Sequence, residues 1–168
     1  MGRAGRPITN CPYEPYLDEL DAARAELGNR ICLRAGLELG VQRHTVEKNR
    51  ALVARLDERL DFVICSIHQV GDLEFWNGDY QRGRTQEQIN LAYYEEMLAV
   101  ARDFRDYDVL GHLDLIRRYD PYGAYPFERV RDVEGLDYDK LVPSLAPHIA
   151  KRYGTIAIKS LSKPFTKK

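Results

Sequence analysis

The order of hydrophobic patterns along the chain most constrains its fold. Helical spacing and strand-like runs alternate four times. Helices are predicted at 13–27, 45–59, 86–104 and 138–153, and strands at 31–37, 62–67, 107–110 and 155–158. Because strands separated by long helical crossovers pair in parallel, the pattern predicts an α/β fold. At 168 residues, the chain is expected to form one domain over 1–168.

Local signals mark the ends of these elements. Gly28 follows the first helical pattern as a stop, and Thr45 and Thr85 stand where the second and third helices are expected to be capped. The run Phe62–Ile67 is almost entirely apolar, which is typical of a strand buried on both faces. Residues 69–84 and 117–126 are predicted to be loops, and 159–168 a basic tail.

Charge and composition argue against several classes of partner. The 25 Lys and Arg residues nearly balance 26 Asp and Glu residues, so we expect no nucleic-acid partner. No run of apolar residues is long enough to cross a membrane, and no secretory leader is visible. The three cysteines are far apart in sequence, which favours reduced thiols and a cytoplasmic location.

Three successive strand patterns each lead into a carboxylate or an imidazole. Glu38, His68 and His112 come after the first three predicted strands, at intervals of 30 and 44 residues. Since parallel strands place such residues at one rim, we expect them to converge as ligands of zinc, manganese or iron. The alternative for each residue alone is a solvated loop carboxylate or a hydrogen-bonded histidine at the edge of the core. His44 and His148 are weaker candidates.

Further candidates surround these residues. Asp114 is placed to orient the ring of His112 from outside the ligand set, or simply to begin a helix. Arg117 and Arg118 are suited to bind phosphate, although paired surface arginines are most often only solvated. Trp76, in a glycine-rich loop, either lines a substrate pocket or pins that loop to the core.

These residues lie in stretches that resemble a known family. The stretches are GLELG (36–40), DFVICSIHQV (61–70), EFWNGDYQRGRTQEQINLAYYEEMLAVARDF (74–104) and DYDVLGHLDLIRRYDPYG (106–123). They resemble the PHP (polymerase and histidinol phosphatase) family, and within it the bacterial monofunctional histidinol-phosphatases. The resemblance covers about residues 13–158.

The resemblance implies a fold and an activity. It implies a partial distorted (β/α)7 TIM-like barrel with divalent metal ions at the carboxyl ends of the strands. The implied reaction removes phosphate from L-histidinol phosphate, a step of histidine biosynthesis, by attack of a metal-activated water on phosphorus. By resemblance Glu38 is a bridging carboxylate, while His68 and His112 match the histidines of the S-x-H and G-H motifs. Arg118 or Arg117 would hold the phosphate.

Two motifs of the family have no counterpart in the sequence. The H-x-H motif of the first family strand and the S-D-x-H motif of a late strand are both missing. We therefore expect the chain to correspond to a truncated middle portion of a histidinol-phosphatase. The alternatives are an inactive remnant or a module that binds a phosphorylated metabolite or a metal. An open barrel also has free strand edges, which favours self-association.

Overall fold

The computed structural model describes residues 11–126 and residue 129. Its helices are α1 (Tyr13–Leu27), α2 (Val46–Leu56) and α3 (Gln86–Asp103). Its strands are β1 (Gly36–Gly40), β2 (Phe62–Ser66), β3 (Gln69–Val70), β4 (Leu73–Glu74) and β5 (Val109–Leu110). Short 3-10 turns lie at Gly28–Arg30, Arg43–Thr45, Asp57–Arg59 and Leu115–Arg118. The alternation of helices and strands is thereby confirmed as far as Leu110.

A parallel sheet of order β1-β2-β5 organises this part of the chain. Gly36 of β1 pairs with Phe62 of β2, and the register continues to Gly40 opposite Ser66. Strand β5 joins the other side of β2, also in parallel. The predicted α/β class with parallel strands is therefore confirmed, and all three strands end at the same rim.

The sheet buries one face more fully than the other. Leu37 and Leu39 of β1 and Val63 and Cys65 of β2 are buried in one core with residues of the three helices. The alternate residues Phe62 and Ile64 are only partly buried. Ser66, on the same face as these two residues, is fully buried, so the expectation that this strand is buried on both faces is met only at its carboxyl end.

The helix ends follow the sequence signals in part. Gly28 ends α1 with a φ of 55°, a conformation that glycine adopts without strain. Thr85 caps α3, since its hydroxyl oxygen accepts a hydrogen bond from the Gln88 N–H and the Gln88 side-chain oxygen accepts one from the Thr85 N–H. Thr45 does not cap α2: its hydroxyl instead bonds to Gln42 in the preceding turn.

The first strand begins later than predicted. It runs over Gly36–Gly40 and not 31–37, so Glu38 lies inside β1 and not after it. The carbonyl of Ala35 accepts hydrogen bonds from the backbone of Asp61 and Phe62, and its own N–H donates to the Asp61 carboxylate at 2.7 Å. These bonds fix the residue at which β1 begins to pair with β2. The pattern of apolar residues in the sequence does not indicate such bonds.

The predicted loop 69–84 contains a small antiparallel hairpin. Strands β3 and β4 pair across Gly71 and Asp72, which have φ values of 59° and 60°. Two consecutive residues with positive φ form the turn that suits a two-residue hairpin, and Gly-Asp is a known sequence for it. The turn signal was present, but each strand has only two residues.

Two further expectations need correction. The third strand is limited to Val109–Leu110, because Asp108 uses its carboxylate to accept a hydrogen bond from the backbone of Val63. Arg117 and Arg118 lie in a 3-10 turn and not in an irregular loop. The predictions at 138–153, 155–158 and 159–168, and His148 with them, lie outside the described residues. Within the described part, none of the helices is long and apolar enough to span a bilayer.

Asp61 generates a test of this architecture. Its carboxylate accepts hydrogen bonds from Ala35, Arg24 and Arg34 at 2.7, 2.6 and 2.9 Å. We expect Asp61→Ala to lower the free energy of unfolding by about 1–3 kcal/mol, because it leaves the buried Ala35 N–H without its acceptor. Urea unfolding measures the loss. Asp57→Ala, which removes an exposed carboxylate with no described partner, is the control and should cost less.

The contribution of Asp61 also depends on pH in a defined direction. The hydrogen bond from Ala35, and then that from Arg34, hold the pKa of Asp61 below its ordinary value. A lowered pKa in the folded state gives stability that is complete above about pH 4 and is lost as the pH falls further. The stability difference between wild type and Asp61→Ala should therefore shrink between about pH 4 and pH 2. A difference that stays constant over this interval would contradict the assignment.

Candidate metal centre

The sheet brings three predicted ligands to one rim. Glu38 is the middle residue of β1, His68 lies two residues beyond the end of β2, and His112 two residues beyond β5. Because the three strands are neighbours and parallel, their side chains meet although up to 74 residues separate them in sequence. The structure thus places Glu38, His68 and His112 together.

The three contacting atoms form a compact triangle. Nε2 of His68 and Nε2 of His112 lie 3.0 and 3.1 Å from Oε1 of Glu38, and 3.2 Å from each other. Hydrogen bonds alone cannot account for all three short distances. Since an imidazole Nε2 carries at most one hydrogen, no protonation state gives a hydrogen bond along all three edges.

A single divalent cation fits the same triangle. Atoms that bind one ion at about 2.0–2.2 Å stand about 3 to 3.5 Å apart, and the observed edges fall in that range. One carboxylate and two imidazoles form a ligand set suited to zinc, manganese or iron. The three side chains are 33–45% exposed, so water or a substrate can reach the remaining coordination positions.

Glu38 is held as a carboxylate. Partial burial raises its pKa, but the hydrogen bond from Ser66 and the two neighbouring imidazoles outweigh that effect and hold the pKa below its ordinary value. Ser66 Oγ donates to Oε1 at 2.9 Å, the same oxygen that both imidazoles approach. An ionised carboxylate is the form that binds a metal.

Two glycines leave space for this arrangement. A Cβ at Gly111 would stand 2.4 Å from Ser66 Oγ, which is closer than real atoms approach, and 3.0 Å from a methyl of Ile64, which is tight. A Cβ at Gly40 would stand 3.2 Å from Nδ1 of His68, which is tight but relieved by a small shift of the ring. The backbone around the ligands is therefore packed against the side chains that support them.

Backbone hydrogen bonds fix the segment that carries His112. The Gly111 N–H donates to the carbonyl of Cys65 at 2.7 Å, which continues the line of β5 along β2. The buried Tyr93 of α3 donates its hydroxyl hydrogen to the carbonyl of His112 at 3.2 Å. His112 is thus held from the sheet and from a helix.

The other predicted residues take up separate places. Asp114 precedes the 3-10 turn Leu115–Arg118 and lies 3.9 Å from Arg117, and among the described residues no hydrogen bond joins it to His112. Arg118 is exposed and has no ion pair with a described residue. Trp76 is 48% exposed in the segment after β4. No hydrogen bond or ion pair joins any of these four residues to the triangle.

Helix α3 holds the segment just beyond the arginines. The carboxylate of Asp120 accepts hydrogen bonds from Asn90 at 2.8 Å and from Gln86 at 3.2 Å. Asn90 is buried, and Gln86 also donates to the carbonyl of Gly123. These bonds limit where the turn that carries Arg117 and Arg118 can move.

His44 serves a different contact. Its Nε2 lies 3.1 Å from the carboxylate of Asp72, which also accepts a hydrogen bond from the buried Gln42. The pair ties the turn after β1 to the β3–β4 hairpin. His44 therefore stands apart from the three converging ligands.

Sequence reasoning missed Ser66 and Gly111 as parts of the site. Ser66 is two residues before His68, and Gly111 directly precedes His112, so they are the first residues of the S-x-H and G-H motifs. A buried hydroxyl in an otherwise apolar strand was the available signal for Ser66. The need for glycine at 111 depends on a contact with another strand and has no local signal.

Comparison with known proteins agrees with this geometry. The PHP domain family matches residues 11–152. The chain belongs to the PHP domain family. The match covers all three converging ligands, and it confirms the family that the sequence resembled.

The PHP domain is similar in sequence to histidinol-phosphatases. It is 33% identical over 109 residues to histidinol-phosphatase of Lactococcus lactis subsp. lactis (strain IL1403), a match that covers 64% of this chain and 39% of the relative. It is 26% identical over 125 residues to a probable histidinol-phosphatase of Deinococcus radiodurans, which covers 71% of this chain and 47% of the relative. The chain thus spans less than half the length of these curated relatives.

One solved structure has the same fold. It is histidinol phosphate phosphatase from Lactococcus lactis subsp. lactis Il1403, complexed with zinc, L-histidinol and phosphate. The superposition has a TM-score of 0.68 at 25% sequence identity, and covers 88% of this chain and 53% of the other. The chain therefore corresponds to about half of that protein.

Gly111 and Gly40 allow a matched test of the packing at the site. We expect Gly111→Ala to reduce the free energy of unfolding by about 1–3 kcal/mol, because the new methyl group overlaps the buried hydroxyl of Ser66. Gly40→Ala should cost less, since the half-exposed ring of His68 can move. Urea unfolding of both variants measures the difference. A larger loss for Gly40→Ala than for Gly111→Ala would contradict the described packing.

Proposed function

We propose that the chain is a histidinol-phosphatase-like, metal-dependent phosphomonoesterase. The reaction is hydrolysis of L-histidinol phosphate to L-histidinol and phosphate. The observation that supports it best is the triangle of Glu38, His68 and His112 in a PHP domain. A relative of the same fold was crystallised with zinc, L-histidinol and phosphate.

The residues of the triangle have distinct roles in this proposal. A divalent ion, when bound, supplies Lewis acidity toward water and phosphate oxygens. Glu38 contributes negative charge to the ligand set, and His68 and His112 contribute neutral nitrogen donors. Ser66 supports Glu38 from the side of the sheet, at 2.9 Å.

Arg118 is our preferred phosphate-binding residue. Its guanidinium is exposed and has no ion pair with a described residue, whereas that of Arg117 lies 3.9 Å from Asp114. A guanidinium without a carboxylate partner keeps its donors for the paired oxygens of a phosphate. Asp114 then holds Arg117, although a role in orienting His112 stays a prediction. The exposed indole of Trp76 offers an apolar surface for the imidazole side of the substrate.

Several wider expectations accompany this function. The parallel sheet is interpreted as part of a distorted (β/α)7 barrel, as the likeness to the solved relative supports. The role in histidine biosynthesis, a cytoplasmic location and the absence of nucleic-acid or membrane partners stay predictions. Strands β1 and β5 are the outer strands of the described sheet, and pairing of such edges between copies of the chain is also still a prediction.

The activity is tested with L-histidinol phosphate as substrate. Phosphate release by the full chain should require added Zn²⁺, Mn²⁺ or Fe²⁺ and should stop on chelation. His112→Ala should lower kcat/KM at least about a hundredfold, more than the loss of an outer partner of a ligand costs. His44→Ala removes a histidine bound to Asp72 and should stay within about threefold of wild type.

Three outcomes would overturn the proposal. Equal activity of the His112→Ala and wild-type proteins would exclude the triangle as the reactive centre. Metal binding without release of phosphate would support the alternative, a module that binds metal or a phosphorylated metabolite. Neither metal binding nor turnover would support an inactive remnant of the family.

The effect of each substitution on KM shows which of the two arginines binds the phosphate. We expect Arg118→Ala to raise KM for L-histidinol phosphate about tenfold, or ~1.4 kcal/mol, because a charge-assisted contact to phosphate is lost. Arg117→Ala should change KM less than about threefold, since that side chain faces Asp114. Steady-state kinetics of both variants measure this, and the reverse order would assign phosphate binding to Arg117.

A further inference from the structure

We infer that Ser66 is a positioning residue that presents Glu38 Oε1 to the two imidazoles and so prepares the site for a metal ion. The inference rests on the proposed function, because it assigns a role within the same metal centre. Ser66 does not belong to the triangle of ligands. It acts through Glu38, the ligand whose side chain has the most freedom to rotate.

The contact that carries this inference selects one oxygen. Ser66 Oγ lies 2.9 Å from Oε1 of Glu38, and both imidazoles approach that oxygen. Because an ionised carboxylate only accepts hydrogen bonds, Ser66 is the donor in this pair. With Oε1 fixed by Ser66, rotation of the Glu38 carboxylate is restricted, and Oε1 stays at the corner of the triangle.

Ser66 itself is rigidly placed. It is the last residue of β2, it is fully buried, and its carbonyl accepts the Val41 N–H at 2.9 Å. The backbone of Gly111 closes the space behind its hydroxyl. The buried hydroxyl is thus bonded to Glu38, whose own side chain is 45% exposed and is otherwise contacted by the two imidazoles.

The energetic consequence is preorganisation. Ordering a free glutamate side chain costs entropy when a ligand binds, and a hydrogen bond already present in the metal-free protein removes part of that cost. The donor also stabilises the charged form of the carboxylate, in agreement with the lowered pKa of Glu38. Outer partners of this kind typically change metal affinity about 10–100-fold.

The test compares zinc affinity with stability. Zinc chloride is titrated into the metal-free full chain by calorimetry, in competition with a chelator of known affinity, and the melting temperature of each metal-free variant is recorded. We expect Ser66→Ala to weaken zinc binding about 10–100-fold. Ser66→Thr keeps a hydroxyl and should bind within about threefold of wild type. Its extra methyl group, next to Gly111, is expected to affect only the melting temperature.

Thr45→Val is the matched control. Thr45 also supplies a hydroxyl, but its partners are Gln42 in the turn before α2 and Asn49 within α2. Its removal should lower the melting temperature without changing zinc affinity. A purely structural role for Ser66 predicts the same behaviour for Ser66→Ala.

Each result separates the inference from the proposed function. Zinc binding by Ser66→Ala within about threefold of wild type would overturn the positioning role and leave the metal centre standing. If Ser66→Ala does not fold, Ser66→Thr decides, because a folded Ser66→Thr protein with tenfold weaker binding would contradict the role of the hydroxyl. No zinc binding by the wild type would overturn the metal centre and this inference together.

Discussion

Parallel pairing of β1 with β2 is the constraint on which the site depends. The register Glu38 opposite Ile64 and Gly40 opposite Ser66 places the carboxylate of β1 and the hydroxyl of β2 on the same face of the sheet. A slip of one residue would turn Glu38 toward the helices and Leu37 toward the opposite face of the sheet. Burial of Leu37 against the helices therefore fixes the position of the ligand as well as the core.

The site is built from close contacts that tolerate little change. The hydroxyl of Ser66 lies where a side chain at Gly111 would stand, and the ring of His68 lies over Gly40. In a packed interior such contacts leave few alternative positions for the atoms involved. The half-exposed side chains of Glu38, His68 and His112 are thus held by a tightly packed backbone. Rigid elements of this kind can support a site that is open to solvent.

Sequence patterns predicted those features that depend on periodicity. The regular spacing of apolar residues in α3 and the apolar run of β2 identified both elements, and Glu38, His68 and His112 were predicted to converge from the order of the strands. The start of β1 was misplaced because it depends on hydrogen bonds between Ala35 and Asp61, which are distant in sequence. The same limit explains the short β3–β4 hairpin and the overlooked roles of Ser66 and Gly111.

The proposed function requires that Glu38, His68 and His112 bind a divalent metal ion. Elemental mass spectrometry of the full chain, purified without a histidine tag or chelator, tests it most directly. The control is the triple variant Glu38→Ala/His68→Ala/His112→Ala, checked by circular dichroism for retained folding. At least one zinc, manganese or iron ion per wild-type chain, and none in the folded control, is the predicted result. Wild-type protein that takes up none of these metals, or a control that retains them equally, would contradict the claim.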